Sequence, residues 1–314
     1  MNSAFEPGTS GSGTDRTHVP VLRQEVLTLL HPSSGQHTVD ATVGAGGHAA
    51  AVLEKTAPDG RLLAIDLDRA SLDVARQNLK PFAGRVTFIH DGFDNLKQIL
   101  NDARFPPPVA ILADLGLSGL SLEDPSRGFS FQLTNSPLDM RFDPSGASGQ
   151  RPPAADLVNS LRPDELERII RQYGEERHAR AITRSIIETR RRRPLQTVGD
   201  LVTAVTRVSR RRGRIHPATR TFQALRMAVN DELDRLERFL PQAIEALAAD
   251  GRLAVISFHS LEDRIVKRFF RQQAAAGRVR ILTKHPATPS YAEVTTNPRS
   301  RSAKLRVAVR GPHP

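Results

Sequence analysis

The chain has 314 residues, 39% of them hydrophobic, with 45 Lys and Arg against 34 Asp and Glu and no cysteine. That length suits one large domain or two smaller ones with a real core, and no stretch approaches the roughly 20 consecutive apolar residues that a spanning helix needs. Lack of Cys excludes a disulfide framework and a thiolate metal site and fits a reducing cytoplasm, while the net charge of +11 points to a polyanionic partner, because neutralised phosphates release counterions.

Residues 1–17, with Gly8, Gly11 and Gly13, lack the apolar core of a signal peptide and are expected to form a disordered leader. From Thr38 to Leu115, short apolar runs alternate with helical stretches. The runs Thr38–Val43, Arg61–Asp66, Val86–His90 and Val109–Leu115 read as strands, and His48–Glu54 and Ala70–Leu79 as the helices between them. Nearly all-apolar strands in a strand-helix-strand rhythm indicate a parallel sheet covered on both faces.

The rhythm breaks at Glu123–Gly149, a Gly-, Pro- and Ser-rich loop too long for an idle connection. Ala154–Leu161, Asp164–Tyr173, Arg177–Arg190 and Val198–Val208 follow as helices with no strand between them. Residues 151–216 carry sixteen Arg, no Lys and eight acids, with dense runs at Arg190–Arg193 and at Arg210, Arg211, Arg212 and Arg214. Thr219–Leu247 keeps helical spacing through Phe222, Leu225, Val229, Leu233, Leu236 and Leu240, and an exposed face there would support a homodimer. Strand patterns return at Arg252–Phe258, Val279–Leu282 and Lys304–Val309. The expected division is a first core segment at 18–135, a helical insert at 136–215 that helps recognise substrate, and a second core segment at 216–314.

Chemistry concentrates where the strands end. Asp40-Ala-Thr-Val-Gly44-Ala-Gly46-Gly47-His48 closes the first strand and opens a helix, so glycines admit a ligand to the backbone and to free N–H groups. Nineteen residues after Gly47, Asp66 ends the second strand, where an acid accepts ribose hydroxyls. Gly44, Gly46 and Ala49 also meet the relaxed dinucleotide pattern, which leaves a nicotinamide-dependent oxidoreductase open on this motif alone. Asp91-Gly-Phe93 after the third strand offers an apolar plate and a polar partner for adenine, and Asp114-Leu-Gly116 follows the fourth. An antiparallel finishing pair, Val279–Leu282 with Lys304–Val309, is the ending expected of the methyltransferase variant of the doubly wound sheet, which a hydride-transfer enzyme would ordinarily lack.

A set of long polar blocks carries a more specific resemblance. They are His18-Val-Pro-Val-Leu, Gly44-Ala-Gly-Gly-His48, Asp114-Leu-Gly, Arg127-Gly-Phe-Ser-Phe131, Pro137-Leu-Asp-Met-Arg141 and Tyr173-Gly-Glu-Glu-Arg177. Further blocks are His216-Pro-Ala-Thr-Arg-Thr-Phe-Gln-Ala-Leu-Arg226, Asn230-Asp-Glu-Leu233, Ser257-Phe-His-Ser-Leu-Glu-Asp-Arg264 and Asn297-Pro-Arg-Ser-Arg-Ser-Ala-Lys-Leu-Arg306. In this order the chain resembles the bacterial small-subunit (16S) ribosomal RNA cytosine-N4 methyltransferases, the RsmH or MraW family, from about His18 to Arg310. The resemblance implies a class I S-adenosylmethionine-dependent methyltransferase (Rossmann-like) sheet with an inserted all-helical domain. It implies methylation of a decoding-centre cytosine, position 1402 in conventional numbering, within the small ribosomal subunit. Implied cofactor contacts are Gly46, Gly47, His48, Asp66, Phe93 and Asp114. Where the family has Ser-Ser-Pro-Gln with a cofactor-contacting Gln, this chain has Ser118-Gly-Leu-Ser121, so a contact at Ser121 would have a shorter reach.

Cytosine N4 is a poor nucleophile, and acceptors on its hydrogens would localise the lone pair and take the proton. Asp114 is the first candidate acceptor, then Asp139; His259 and Ser260, at the end of strand five, are placed for base or phosphate. Phe129 or Phe131 is expected to stack on an unstacked base, with Arg141, Arg220 and Arg226 as substrate contacts. Plainer readings stand beside these: Asp139 and Arg141 also fit a mutual ion pair, and His259 a helix cap. A noncatalytic RNA-binding assembly factor remains a further class. Metal binding is not expected, because the ten His are scattered and no carboxylate–His cluster has ligand spacing.

Overall fold

The computed structural model describes residues 20–146, 149–208 and 216–311; the expected leader and the run Arg210–Arg214 lie outside them. After α1 (Arg23–Leu30), strands and helices alternate: β1 (Thr38–Asp40), α2 (Gly47–Lys55), β2 (Leu62–Asp66), α3 (Arg69–Asn78), β3 (Val86–His90), α4 (Leu96–Asp102) and β4 (Ala110–Asp114). The short α5 (Gly119–Glu123) and the long loop precede α6 (Ala154–Ser160), α7 (Pro163–Gly174), α8 (Ala179–Arg192) and α9 (Val198–Thr206). Then come α10 (Thr219–Asn230), α11 (Glu232–Ala246), β5 (Arg252–Ser257), α12 (Ser260–Ala275), β6 (Val279–Ile281), α13 (Tyr291–Thr296) and β7 (Lys304–Arg310).

The seven strands form one sheet in the order β3-β2-β1-β4-β5-β7-β6. The pairs from β3 to β5 are parallel, whereas β7 runs antiparallel to both β5 and β6. This is the class I methyltransferase sheet, and the order reverses between β1 and β4, where ligands of open sheets bind. Strand alternation sorts the apolar residues by face. Leu63, Ile65, Ile111, Ala113, Leu253 and Val255 pack with Leu96 of α4, Phe239 of α11 and Phe270 of α12. On the other face, Leu62 and Ala64 pack against α2 and α3, and Leu112, Ala254 and Ile256 against α1. Among the described residues, no helix is long and apolar enough to cross a membrane.

The helical block has its own interior, built from Ile170, Ile182, Ile186, Leu201 and Val205 with Leu138 and Met140 of the long loop. Local chemistry sets its helix starts. Pro163 occupies the first turn of α7, whose Glu165 accepts the Arg162 N–H, and Thr197 and Asp200 cap α9 reciprocally. Gly174 lets α7 and α10 touch, since a Cβ there would meet the Arg220 carbonyl at 2.6 Å.

Two expectations are corrected. The continuous pattern Thr219–Leu247 is two helices, because Asp231 adopts a left-handed conformation (φ 57°). The Asn230 amide, which donates to the Met140 carbonyl and accepts the Phe142 N–H, fixes that break. α10 therefore turns Phe222, Leu225 and Val229 into the helical block, although the sequence division set it with the second core segment, while α11 turns Leu236 and Leu240 onto the sheet. The face expected to support a homodimer is thus buried inside the chain.

Candidate active site

The glycine turn and the ends of β1–β5 lie together at one end of the sheet, the cleft end. Gly44 and Gly46 hold positive φ (53° and 87°), which bends the chain so that α2 starts directly behind β1. Asp66 fastens this turn, its Oδ2 accepting the Gly44 N–H at 2.8 Å and its Oδ1 the Asp68 N–H at 2.8 Å. Thr42 Oγ1 accepts the Asp114 N–H at 2.6 Å, tying the ends of β1 and β4. His48, in the first turn of α2, brings Nε2 to 3.8 Å from Asp114 Oδ2. Phe93 lies beside the cleft, held edge-on against Phe239 with ring centroids 5.1 Å apart.

Three carboxylates crowd this end of the sheet with no Arg or Lys pairing them among the described residues. Burial lifts Asp40 to about 7; the Thr42 N–H opposes the rise and the Asp66 charge adds to it. Burial raises Asp66 to about 6 against the pull of the Asp68 and Gly44 N–H groups. Asp114 is raised well above the usual carboxylate range, by burial first and then by the charges of Asp40 and Glu262. A quarter of its side chain still reaches the cleft mouth, yet its Oδ1 is buried with no hydrogen-bond partner among the described residues. A buried acceptor left unmade is costly, and active sites are where such costs persist.

The long loop is pinned beside the cleft from within. Asp68 caps α3 and accepts from Ser121 Oγ at 2.8 Å and from Arg127 Nη1 at 3.2 Å, with both partners buried. Arg127 also donates to the Arg141 and Phe142 carbonyls, each at 2.9 Å. The hydroxyl of Ser121, a sequence candidate for cofactor contact, is thereby engaged by Asp68. Phe129 is interior, stacked on Phe142, and is not placed to receive a base. Phe131 remains half exposed and lies flat on His216, 4.5 Å between centroids. Asp139 and Arg141 form the plainer pair, with Arg141 Nε and Nη2 donating at 2.8 and 2.7 Å, so Asp139 enters as a salt-bridged carboxylate and not a bare acceptor.

At the end of β5, His259 caps α12 by accepting the Glu262 N–H on Nδ1 and sets Nε2 3.2 Å from Glu262 Oε1. Burial works to raise Glu262, but the hydrogen bond and charge of His259, the charge of Arg226 and the Phe258 N–H hold it below the usual range. Arg226, expected to contact substrate, instead grips Glu232 through two 2.7 Å bonds. Glu232, His259 and Glu262 place their ligand-capable atoms within 4.8 Å of one another, a carboxylate–His cluster that sequence spacing did not show. Both Glu232 oxygens take Arg226 and Glu262 Oε2 takes backbone N–H groups, so this donor set fits an ion-pair network better than a metal centre. Exposed Ser260 donates to Glu175, which also pairs with Arg264 at 3.2 Å, while Arg220 donates to the Glu175 carbonyl. Glu175 therefore joins the helical block to α12 beside the cleft.

Residues 15–311 match the MraW methylase family. The chain belongs to that family. A "Ribosomal RNA small subunit methyltransferase H" of Thermomicrobium roseum is 50% identical over 95% of this chain and 94% of its own length. A protein of the same name from Dehalococcoides mccartyi is 46% identical over 93% of this chain and 86% of its own. For a methylase, the relaxed dinucleotide reading of the glycine turn falls away, and so does the noncatalytic one.

The cofactor of this MraW-family chain is S-adenosylmethionine, and the cleft has features that fit it. Two left-handed glycines open the backbone, Asp66 ends β2, and the unpartnered Asp114 oxygen awaits a donor or a positive charge. Gly46, Gly47, His48, Asp66, Phe93 and Asp114 lie at or just after the ends of the neighbouring strands β1–β4, and His259 and Ser260 follow the end of β5. Sequence reasoning gave no role to Asp40, Glu232 or Glu262, although each lies inside a quoted motif. Only the folded chain buries Asp40 away from any Arg or Lys among the described residues and brings the two glutamates to His259.

Proposed function

We propose that this MraW-family methylase transfers a methyl group from S-adenosylmethionine to N4 of a cytosine in the decoding centre of 16S ribosomal RNA, acting in the cytoplasm on the small subunit. The names of the half-identical relatives support the RNA, and the buried, unpartnered Oδ1 of Asp114 supports the amine. When bound, the cofactor supplies an already electrophilic methyl on its sulfonium, so no residue has to activate it.

The glycine turn, His48, Asp66 and Phe93 would hold the cofactor against the ends of β1–β4. Oriented reactants gain on the order of 7–11 kcal/mol from placement alone. Asp114, raised by burial and then by the charges of Asp40 and Glu262, would accept a hydrogen bond from the N4 amine and then its proton; once ionised, a carboxylate raised in this way is the stronger base for that task. Phe131 with His216 offers a flat apolar face for an unstacked pyrimidine, at a cost of a few kcal/mol for unstacking. Arg220 and Ser260 mark the seam between α10 and α12 where the RNA would enter, with the Arg-rich helical block beside it.

The direct test is to delete the gene and map cytosine methylation in the small-subunit RNA. One decoding-centre N4-methyl should disappear and return with the wild-type gene; an unchanged map would overturn the proposal.

A further inference from the structure

A second basic surface lies on the opposite side of the sheet from the glycine turn. From Arg264 to Ala292 the chain carries seven Lys and Arg and no acid. On α12, Arg264, Lys267, Arg268 and Arg271 recur at helical spacing and form one stripe. The stripe leads from Ser260 at the cleft to a groove of about 300 Å³ between α12 and the edge strand β6. Lys267, Arg271 and Lys284 line this groove over a floor of Phe270, Ile281 and Thr283. The fourth cation there, Arg306, is bound to Asp263 at 2.7 Å. Lys267, Arg271 and Lys284 make no ion pair among the described residues, unlike the Arg side chains that bind Glu167, Asp200 and Glu232 in or beside the helical block. At 1.5 Å rise per residue, Lys267 and Arg271 stand about 10 and 16 Å along α12 from Ser260.

We infer that this groove is a docking site for the phosphate backbone of the substrate RNA, beyond the nucleotides that enter the cleft. The inference rests on the RNA-methylating reading above. Three uncommitted cations around a depression with a largely apolar floor suit a chain of phosphates; no acid lines the groove, and the neighbouring Asp263 is already held by Arg306 and Lys304. Contacts of this kind position the substrate without reading its sequence. The groove thus raises affinity for the subunit and leaves the methyl-transfer step untouched.

The test is the triple variant Lys267→Ala, Arg271→Ala, Lys284→Ala of the full chain. A control, Lys55→Ala, Lys80→Ala, Lys97→Ala, removes equal charge from exposed positions elsewhere. Binding to small subunits and to naked small-subunit RNA is measured across salt, with methyl-transfer kinetics and S-adenosylhomocysteine affinity alongside. The groove variant should weaken RNA binding about 10- to 100-fold at low salt and flatten the log–log salt slope by about 2–3. Its kcat at saturating subunit and its S-adenosylhomocysteine affinity should match wild type. An unchanged KM and slope in an active enzyme, or an equal loss in the control, would overturn the groove and leave the methylation reading standing. Weakened binding to subunits with unaltered binding to naked RNA would assign the surface to an acidic protein and also overturn it. Wild-type protein that transfers no methyl to any small-subunit RNA would remove the reading beneath.

Discussion

The cleft end of the sheet and the helical block handle charge in opposite ways. Asp40, Asp66 and Asp114 sit at strand ends with no Arg or Lys paired to them among the described residues, and burial raises all three. In and around the block, acids are matched, Asp139 by Arg141, Glu167 by Arg171, Asp200 by Arg193 and Glu232 by Arg226. Unmatched buried acids destabilise the fold and are retained for chemistry, whereas matched pairs fix geometry. On the proposed function, the difference separates the part of the molecule that would react from the part that holds it in place.

The largest effect should come from the unmatched side. Asp114→Ala should cut methyl transfer by about a thousandfold or more with circular dichroism unchanged, and retained turnover would break the comparison at its centre. Because Asp114 is raised, kcat of the wild type should climb with pH along a limb above the ordinary carboxylate range, as the acceptor loses its proton. Next in size is Arg226→Ala, which strands Glu232 beside Glu262. Urea unfolding should show a loss of about 3–5 kcal/mol, and Arg226→Met with Glu232→Leu should recover much of it.

A subtler effect tests Asp40. Its raised carboxyl, at about 7, keeps a proton in the folded state that the unfolded chain releases near pH 4. That stability is present below about pH 4 and fades as pH rises to about 7. Asp40→Asn should therefore shrink the fall in Tm between pH 5 and pH 8; an undiminished fall would mean that Asp40 is not the group responsible. Smallest of all, Arg193→Ala removes a pair whose Arg is three-quarters exposed and should move stability by less than about 0.5 kcal/mol in the same unfolding assay.

Much of the sheet was legible because its strands obey one rule along the chain. Apolar runs between glycine and acid endings located β1 to β5 within a few residues, and the alternation of Lys304–Val309 located β7. The candidate site was legible at the strand ends for the same reason, since a turn at a strand end presents its residues wherever the strand lies. Reading failed where a residue's role depends on what comes to meet it. Phe129 and Phe131 are two apart in one motif, yet one is interior and the other half open. Arg226 looks like a substrate cation until Glu232 closes on it across the break at Asp231.

The sequence by itself determined the doubly wound class, the glycine turn, the acids that border the cleft and the family, because these follow from local patterns and ordered motifs. Tertiary structure alone decided the partition of the Thr219–Leu247 pattern between two cores, the pairing of Arg226 with Glu232, and the isolation of Asp114. Burial and pairing depend on segments far apart in the chain, and ionisation follows from them; a carboxylate's neighbours are set by packing and not by its position in the sequence.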